Sequence, residues 1–378
     1  MLIVAGEASA DLHGSNLVKS MKRLKPSLVF QGIGGKKMEQ AGVKILFSAS
    51  DMAVVGLTEV ITRIRIIIRA SIRLKSIIRY RRPALLILID YPDFNLHIAR
   101  IAKRYKIPVL YYISPQVWAW RSRRVKKIAR LVDRMAVILP FEKAFYRQRG
   151  VKVDYVGHPL LDICPADENK DLTMVNLKAD HDYPVIGLLP GSREAEVMSL
   201  LPVMLKSAEI IRERYPALRC VLPLASTIKS GFVQSLISKS SVRVEVVHGN
   251  VYDALKVCHV ALVASGTVTL ETAIMEVPMV IVYRVSPLSH RVGRVMIKVP
   301  FIGLVNLVVG EAVVPELIQD EVTPERLADE VKTIIEDSVV REKMINKLKA
   351  VKRCLGRGGA SDKTAGIALK MINGSEVI

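Results

Sequence analysis

Four short stretches combine a glycine or hydroxyl with a charge in a way that suits phosphate and sugar chemistry. Pro190-Gly191-Ser192-Arg193 follows an apolar run and opens a helical pattern. At such a turn the free N–H groups of a helix start and a guanidinium together suit a diphosphate. Ser265-Gly266-Thr267 repeats the arrangement, with Glu271 following at a spacing that can offer a carboxylate to ribose hydroxyls. At either turn alone, a plain helix cap followed by solvated side chains explains the residues equally well. That explanation weakens when both turns occur in one half of the chain. Asp90-Tyr91-Pro92-Asp93-Phe94-Asn95 follows the most apolar run of the first half. A carboxylate at the end of a parallel strand can serve as a general base; Asp90 suits that role, whereas Asp93 suits capping of the next helix. Gly6-Glu7-Ala8-Ser9 ends the first apolar run and is expected beside it. His158, in Gly157-His158-Pro159, either reaches the same place or is a buried structural histidine. No Asp-x-Asp pair follows a strand and no His/Cys/carboxylate set has ligand spacing, so neither a metal nor a cofactor is expected.

The elements that must position these residues alternate. Apolar runs at Met1–Ala5, Leu28–Ile33, Ala84–Ile89, Pro108–Ile113 and Met135–Leu139 are separated by helical patterns, including Leu12–Leu24 and Leu96–Tyr105. The second half repeats the scheme at Val185–Leu189, Cys220–Leu224, Val242–Val247, His259–Val263 and Met279–Tyr283. Short buried strands alternating with amphipathic helices predict two doubly wound α/β domains of Rossmann type, facing a cleft. Residues 1–165 are expected to form the first domain and 166–345 the second. Asp162–Tyr183 is the expected linker, and residues 346–378 are terminal helices that pack back on the first domain or are exchanged with a partner.

Charge is distributed unevenly between these halves. The 378 residues carry a formal +20; residues 1–160 hold 30 Lys+Arg against 10 Asp+Glu, while residues 161–378 hold 26 of each. Such asymmetry points to an anionic surface on the first half. Its densest part is Leu57–Arg82, where Arg63, Arg65, Arg69 and Arg73 interleave with Ile64, Ile68 and Ile72, and Pro83 ends the helical pattern. A helix of this kind can lie in a lipid interface. Alternatively, its apolar stripe packs on its own sheet. Nucleic acid is disfavoured, because aromatic side chains for base stacking are scarce there. The basic run Arg121–Arg134 follows Trp118 and Trp120, a pairing that fits either an interfacial anchor or core packing. Four scattered cysteines give no disulfide or zinc framework. No uninterrupted apolar stretch approaches the length of a membrane span, and the N-terminus runs directly into a strand without a basic leader. The expectation is a soluble or peripheral cytoplasmic protein.

In this order the motifs resemble the lipid-A-disaccharide synthase family, glycosyltransferases of the two-Rossmann-domain (GT-B) type. The matching stretches are Ala5–Ser9, Val55–Val60, Asp90–Asn95, Tyr112–Trp120, Leu139–Glu142, Val156–Pro159, Leu189–Arg193, Ala264–Thr267 and Leu304–Leu307. The resemblance implies transfer of diacylglucosamine from UDP-diacylglucosamine to the 6′-hydroxyl of diacylglucosamine 1-phosphate, with inversion and release of UDP. It implies Asp90 as the base, Arg193 on the diphosphate, Gly191, Ser192, Ser265, Gly266, Thr267, Glu271 and Asn306 around the nucleotide, and Glu7, Ser9, Asp93, Asn95 and His158 on the acceptor side. It also implies metal independence, an anionic inner-membrane surface as partner, and a homodimer with exchanged C-terminal segments. The family loop reads Gly-Glu-x-Ser-Gly-Asp, and Ala10 stands here at the second glycine, which requires a negative φ at that position. Rival readings are a peptidoglycan-type N-acetylglucosaminyltransferase, a UDP-sugar epimerase, which would not need the cationic aliphatic face, and a basic nucleic-acid-binding protein.

Overall fold

The computed structural model describes residues 1–52, 60–120, 124–164, 184–286 and 299–374, without the side chains of residues 8, 51, 60–63 and 120. The match at 55–59, the linker segment 165–183, Arg121, Arg123 and the side chains of Arg63 and Trp120 therefore lie outside the described residues. The chain divides into two compact units, Met1–Asp162 with Leu355–Ile378, and Ile163–Cys354.

The first unit is built on seven parallel strands: β1 (Leu2–Ala5), β2 (Phe30–Gly34), β3 (Val43–Ser48), β4 (Leu86–Ile89), β5 (Val109–Tyr112), β6 (Arg134–Val137) and β7 (Val153–Tyr155). They run in the order β3-β2-β1-β4-β5-β6-β7. The inner strands are apolar without alternation because both faces are covered. Leu2, Val4, Leu86 and Leu88 join one core, while Ile3, Ala5, Leu85, Ile87 and Ile89 join the other.

The second unit repeats the plan with β8 (Val185–Leu189), β9 (Arg219–Leu224), β10 (Val244–His248), β11 (Val260–Ala264), β12 (Met279–Tyr283) and β13 (Glu316–Ile318). Their order is β10-β9-β8-β11-β12-β13. In each sheet the first strand in sequence lies centrally and the winding reverses beside it, between β1 and β4 and between β8 and β11. Open sheets of this type bind ligands beyond the carboxyl ends of the strands at that reversal.

The helix Val60–Arg81 settles how its apolar residues are used. Ala70, Leu74, Ile77 and Ile78 are buried in the first core, with Ile66 and Ile67 partly covered. A second row at i, i+4, i+8 spacing stays outside: Ile64, Ile68 and Ile72 are 47%, 51% and 63% exposed. Arg65, Arg69 and Arg73 form the adjacent exposed row. One helix thus serves the core and still presents aliphatic surface beside cations.

The expected boundary at residue 345 falls inside a continuous helix, Ser338–Cys354, which belongs to the second unit. The return to the first unit occurs at Leu355, whose carbonyl accepts from His158 N at 2.9 Å. The final helix, Ala360–Ile372, then buries Ala360, Ala365 and Ala368 in the core that contains Leu17, Val18 and Met21. Asp162 caps it, its carboxylate accepting from the N–H groups of Gly359, Ala360 and Ser361 at 2.6, 3.3 and 3.2 Å. Ala10 sits buried within the helix Ala8–Leu24, where φ is negative, so the methyl at this position is accommodated.

Two buried histidines accompany this junction. Burial pushes His13 down to about 4, against the attraction of Asp162, with Lys37 lowering it further. Burial and the neighbouring His13 push His158 down to about 3. Both are therefore neutral in the fold, while the unfolded chain protonates them near pH 6.5. The stability these two histidines contribute should be complete above about pH 6.5. It should fall as pH drops from there towards 4, by about 1.4 kcal/mol per pH unit for each histidine. Calorimetric melting between pH 7.5 and 4.5 measures this, and His158→Gln should flatten the slope.

Candidate active site

The carboxyl end of β4 carries an unusual backbone. Asp90 and Tyr91 both have positive φ, +46° and +48°. Such conformations typically cost about 1–3 kcal/mol each for residues with a side chain and persist only where surroundings hold them. Here the holders are explicit. The Asp90 carbonyl accepts from the Tyr111 hydroxyl and from Asn95 Nδ2, each at 2.6 Å. Asn95 Nδ2 also reaches the Ile89 carbonyl at 3.2 Å. The Tyr91 hydroxyl donates to the Met52 carbonyl at 3.1 Å, and its ring lies 5.8 Å from that of Phe94. On its other side the Tyr91 ring covers Gly6 so closely that a Cβ there would overlap it.

This strained turn sets Asp90 directly after β4, at the reversal between β1 and β4. Burial pushes the Asp90 carboxyl up to about 6, the nearby negative charge of Glu7 adds to this, and the Tyr91 N–H opposes. Glu7 itself is exposed and forms the N-cap of the helix Ala8–Leu24, and Ser9 is exposed in its first turn. A half-buried carboxylate poised near neutrality at this place can accept a proton from a hydroxyl.

Not every expected acceptor-side residue faces outward. Asp93 is exposed and pairs with Arg124 at 2.6 Å. Asn95 is fully buried, and its amide holds the Asp90 turn from below. His158 is also buried; its Nδ1 accepts from Leu160 N at 3.2 Å. These two side chains are used inside the fold.

In the second unit Gly191, Ser192 and Arg193 follow β8, and Ser265, Gly266 and Thr267 follow β11, so both turns stand at the second reversal. Gly191 has φ +115° and a Cβ there would overlap the Glu196 carboxylate. That carboxylate already occupies the turn: Oε2 accepts from Ser192 N and Arg193 N at 3.0 and 3.2 Å, and Oε1 meets Arg193 Nη1 at 3.1 Å. Two backbone N–H groups and a guanidinium therefore converge at this turn, with an internal anion seated on them. The Arg193 side chain is otherwise open, 78% exposed. Glu271 is largely buried; burial raises its carboxyl, against the Tyr252 hydroxyl, which lies 3.4 Å from its Oε1.

Asn306 is completely buried, and its side chain bonds within the fold. Its Oδ1 accepts from Val313 N and Val314 N at 2.8 and 3.1 Å, and its Nδ2 donates to Glu316 Oε1 at 2.7 Å. Glu316 in turn receives Ile302 N and Gly303 N, and the Ile302 carbonyl accepts from the Ser265 hydroxyl at 3.1 Å. Asn306 thus supports the Ser265 turn through Glu316. Among the described residues no three His, Cys, Asp or Glu side chains gather to hold a metal ion.

Residues 1–369 match the lipid-A-disaccharide synthetase family. The chain belongs to that family. Lipid-A-disaccharide synthases from Geobacter sulfurreducens and Syntrophus aciditrophicus are 50% and 48% identical to it, covering 98% and 100% of this chain and 97% and 98% of their own lengths. The fold is shared more widely. UDP-GlcNAc 2-epimerase from Neisseria meningitidis bound to UDP-GlcNAc aligns with a TM-score of 0.67 at 15% identity, over 98% of this chain and 99% of its own. The glycotransferase of kitacinnamycin aligns with a TM-score of 0.64 at 14% identity, over 98% of each chain. Membership of the synthase family makes this a glycosyltransferase of lipid A biosynthesis and sets aside the nucleic-acid-binding alternative.

The residues that sequence reasoning passed over are Tyr111, Glu196, Tyr252 and Glu316, all of which orient others. Glu196 alone had a signal, three positions after Arg193 where a helix-capping glutamate belongs. The Asp90 turn can be tested directly. Tyr111→Phe removes one of its two bonds and should cost about 1–2 kcal/mol in urea denaturation. Gly6→Ala, which pushes on the Tyr91 ring, should cost about 1–3 kcal/mol.

Proposed function

We propose that the chain condenses UDP-diacylglucosamine with diacylglucosamine 1-phosphate, giving lipid A disaccharide 1-phosphate and UDP. The observation that carries this reading is the placement of Asp90 and of the Arg193 and Ser265 turns at the two sheet reversals of a chain in the synthase family. Asp90 takes the proton of the acceptor 6′-hydroxyl as that oxygen attacks the anomeric carbon. The bond from that carbon to the diphosphate breaks, its electron pair leaves with UDP, and the configuration inverts. Arg193 and the amides of its turn receive the charge that develops on the leaving diphosphate, displacing Glu196. Ser265, Gly266 and Thr267 hold the nucleotide and Glu271 takes ribose hydroxyls, while Glu7 and Ser9 face the acceptor sugar. The exposed isoleucine and arginine rows of the helix Val60–Arg81 favour an anionic membrane surface, here the cytoplasmic face of the inner membrane. The same reading includes a homodimer in which the alanine seam of the last helix is formed by a helix from a second copy.

The decisive assay is formation of disaccharide and UDP from the two purified substrates; a chain that releases no disaccharide overturns the reading. Asp90→Asn should lower turnover by at least 10³-fold with UDP affinity nearly unchanged. Because its carboxyl ionises only above about pH 6 in the fold, log kcat should fall below that pH, and Glu7→Gln should move this limb to lower pH. The same shift means that ionised Asp90 opposes folding above pH 6. Asp90→Asn should therefore stabilise the protein at pH 8, by about 1–3 kcal/mol. Arg193→Ala should raise KM for the UDP-sugar by about tenfold or more.

A further inference from the structure

Between the helices Val60–Arg81 and Pro92–Arg104 lies a groove of about 550 Å³. Ile67, Ile68 and Ser71 line it from one helix, and Tyr91, Phe94 and His97 from the other side. Its two ends differ in chemistry. One is the Tyr91-Pro92-Asp93 turn, directly after Asp90. At the other the Ser71 hydroxyl and His97 Nε2 lie 2.9 Å apart. From Tyr91 to His97 the chain advances six residues, roughly 9 Å along a helix. That length accepts the first carbons of an extended hydrocarbon.

The walls are mainly aliphatic and aromatic, yet the surroundings are cationic. Arg65, Arg69 and Arg73 are exposed on the same helix. Besides burial, Arg100, Lys127 and Lys75 all disfavour protonation of His97 at this end. A hydrocarbon tail on an anionic head uses both features. A neutral apolar ligand leaves the cations without a role, and a nucleic acid or acidic peptide leaves the walls bare. The groove is also continuous with exposed surface, since Ile68 both lines it and belongs to the outer row with Ile64 and Ile72.

We propose that this groove binds one acyl chain of the anionic acceptor glycolipid, seating it beside Asp90 and leading it out past Ile68 towards the lipid. The proposal rests on the glycosyl-transfer reading above. The chain is held by a part of the molecule remote from the reacting hydroxyl, and that binding orients the hydroxyl at Asp90.

The test uses the full-length enzyme in detergent micelles with synthetic diacylglucosamine 1-phosphate, alongside an acceptor whose acyl groups are shortened to two carbons. Ser71→Trp places an indole in the groove, and Ile68→Glu places a charge there; thermal melting confirms that each folds. Each buried methylene is worth about fourfold in affinity. Both variants should therefore raise KM for the long-chain acceptor by about tenfold or more, with KM for the UDP-sugar moving less than twofold. The long-chain preference of the wild type should shrink accordingly. An unchanged KM for the long-chain acceptor, or an equal rise for the two-carbon acceptor, overturns the proposal. Vesicle sedimentation separates the groove from the outer face: Ile72→Ser should weaken binding to anionic vesicles and leave the micellar KM alone, and Ser71→Trp should do the reverse. If Ser71→Trp loses vesicle binding and acceptor KM is unmoved, the groove is only part of a membrane-contact face. If the wild type makes no disaccharide at all, the transfer reading itself has failed, which is a different result.

Discussion

A parallel strand covered on both faces has no side free for a ligand, and this constraint governs where chemistry can occur in both units. The carboxyl ends of the strands are the remaining places, and the reversal of winding leaves two of them uncrossed by a connecting helix. Asp90 and Glu7 end the neighbouring strands β4 and β1; Arg193 and Ser265 follow β8 and β11. The polar residues are therefore concentrated by topology before any local geometry is considered. What local geometry adds is direction. In the first unit it does so through two consecutive left-handed residues, held by a tyrosine on the next strand and an asparagine on the following helix. In the second it does so through a glycine whose missing side chain makes room for Glu196.

Much of this was legible in the residues themselves, for a definite reason. Runs such as Leu86–Ile89 and Val260–Ala264 are wholly buried, so their hydrophobicity is continuous and easy to see. The strands missed were β3, β7 and β13. β3 is buried only at Val43, with Lys44 exposed and the rest half-covered, and β7 and β13 contain three residues each and are only partly buried, too short to show a period. The candidate site shows a similar division. Asp90, Glu7 and Arg193 are exposed or half-buried groups just beyond strand ends. Asn95, His158 and Asn306 carry the same kind of polarity in the sequence, but they spend it on backbone groups within the fold. Polarity alone does not distinguish a side chain that binds a ligand from one that completes a turn. Tyr111 was invisible for the opposite reason: it lies in an apolar strand as a core residue, and it reaches the Asp90 turn through its hydroxyl.

The helix Val60–Arg81 illustrates a further limit. Its isoleucines read as a single broad stripe, and two readings competed for them, a core face and a lipid-facing one. In three dimensions the stripe splits, with Ala70, Leu74, Ile77 and Ile78 inside and Ile64, Ile68 and Ile72 outside. Hydrophobicity reports the sum of the two faces; only packing separates them. The excess positive charge of the first half falls in part on the row next to the outer one.

That neighbouring row has a consequence for the protein away from any lipid. Three exposed isoleucines in line form a seam on which two copies in solution could zip together. Arg65, Arg69 and Arg73 run alongside it, so copies approaching seam to seam bring their guanidinium rows together and repel each other. That repulsion weakens as ions shorten its range. The arginines thus act as a colloidal guard on the isoleucines, making dilute buffer a better solvent for the free protein than concentrated salt.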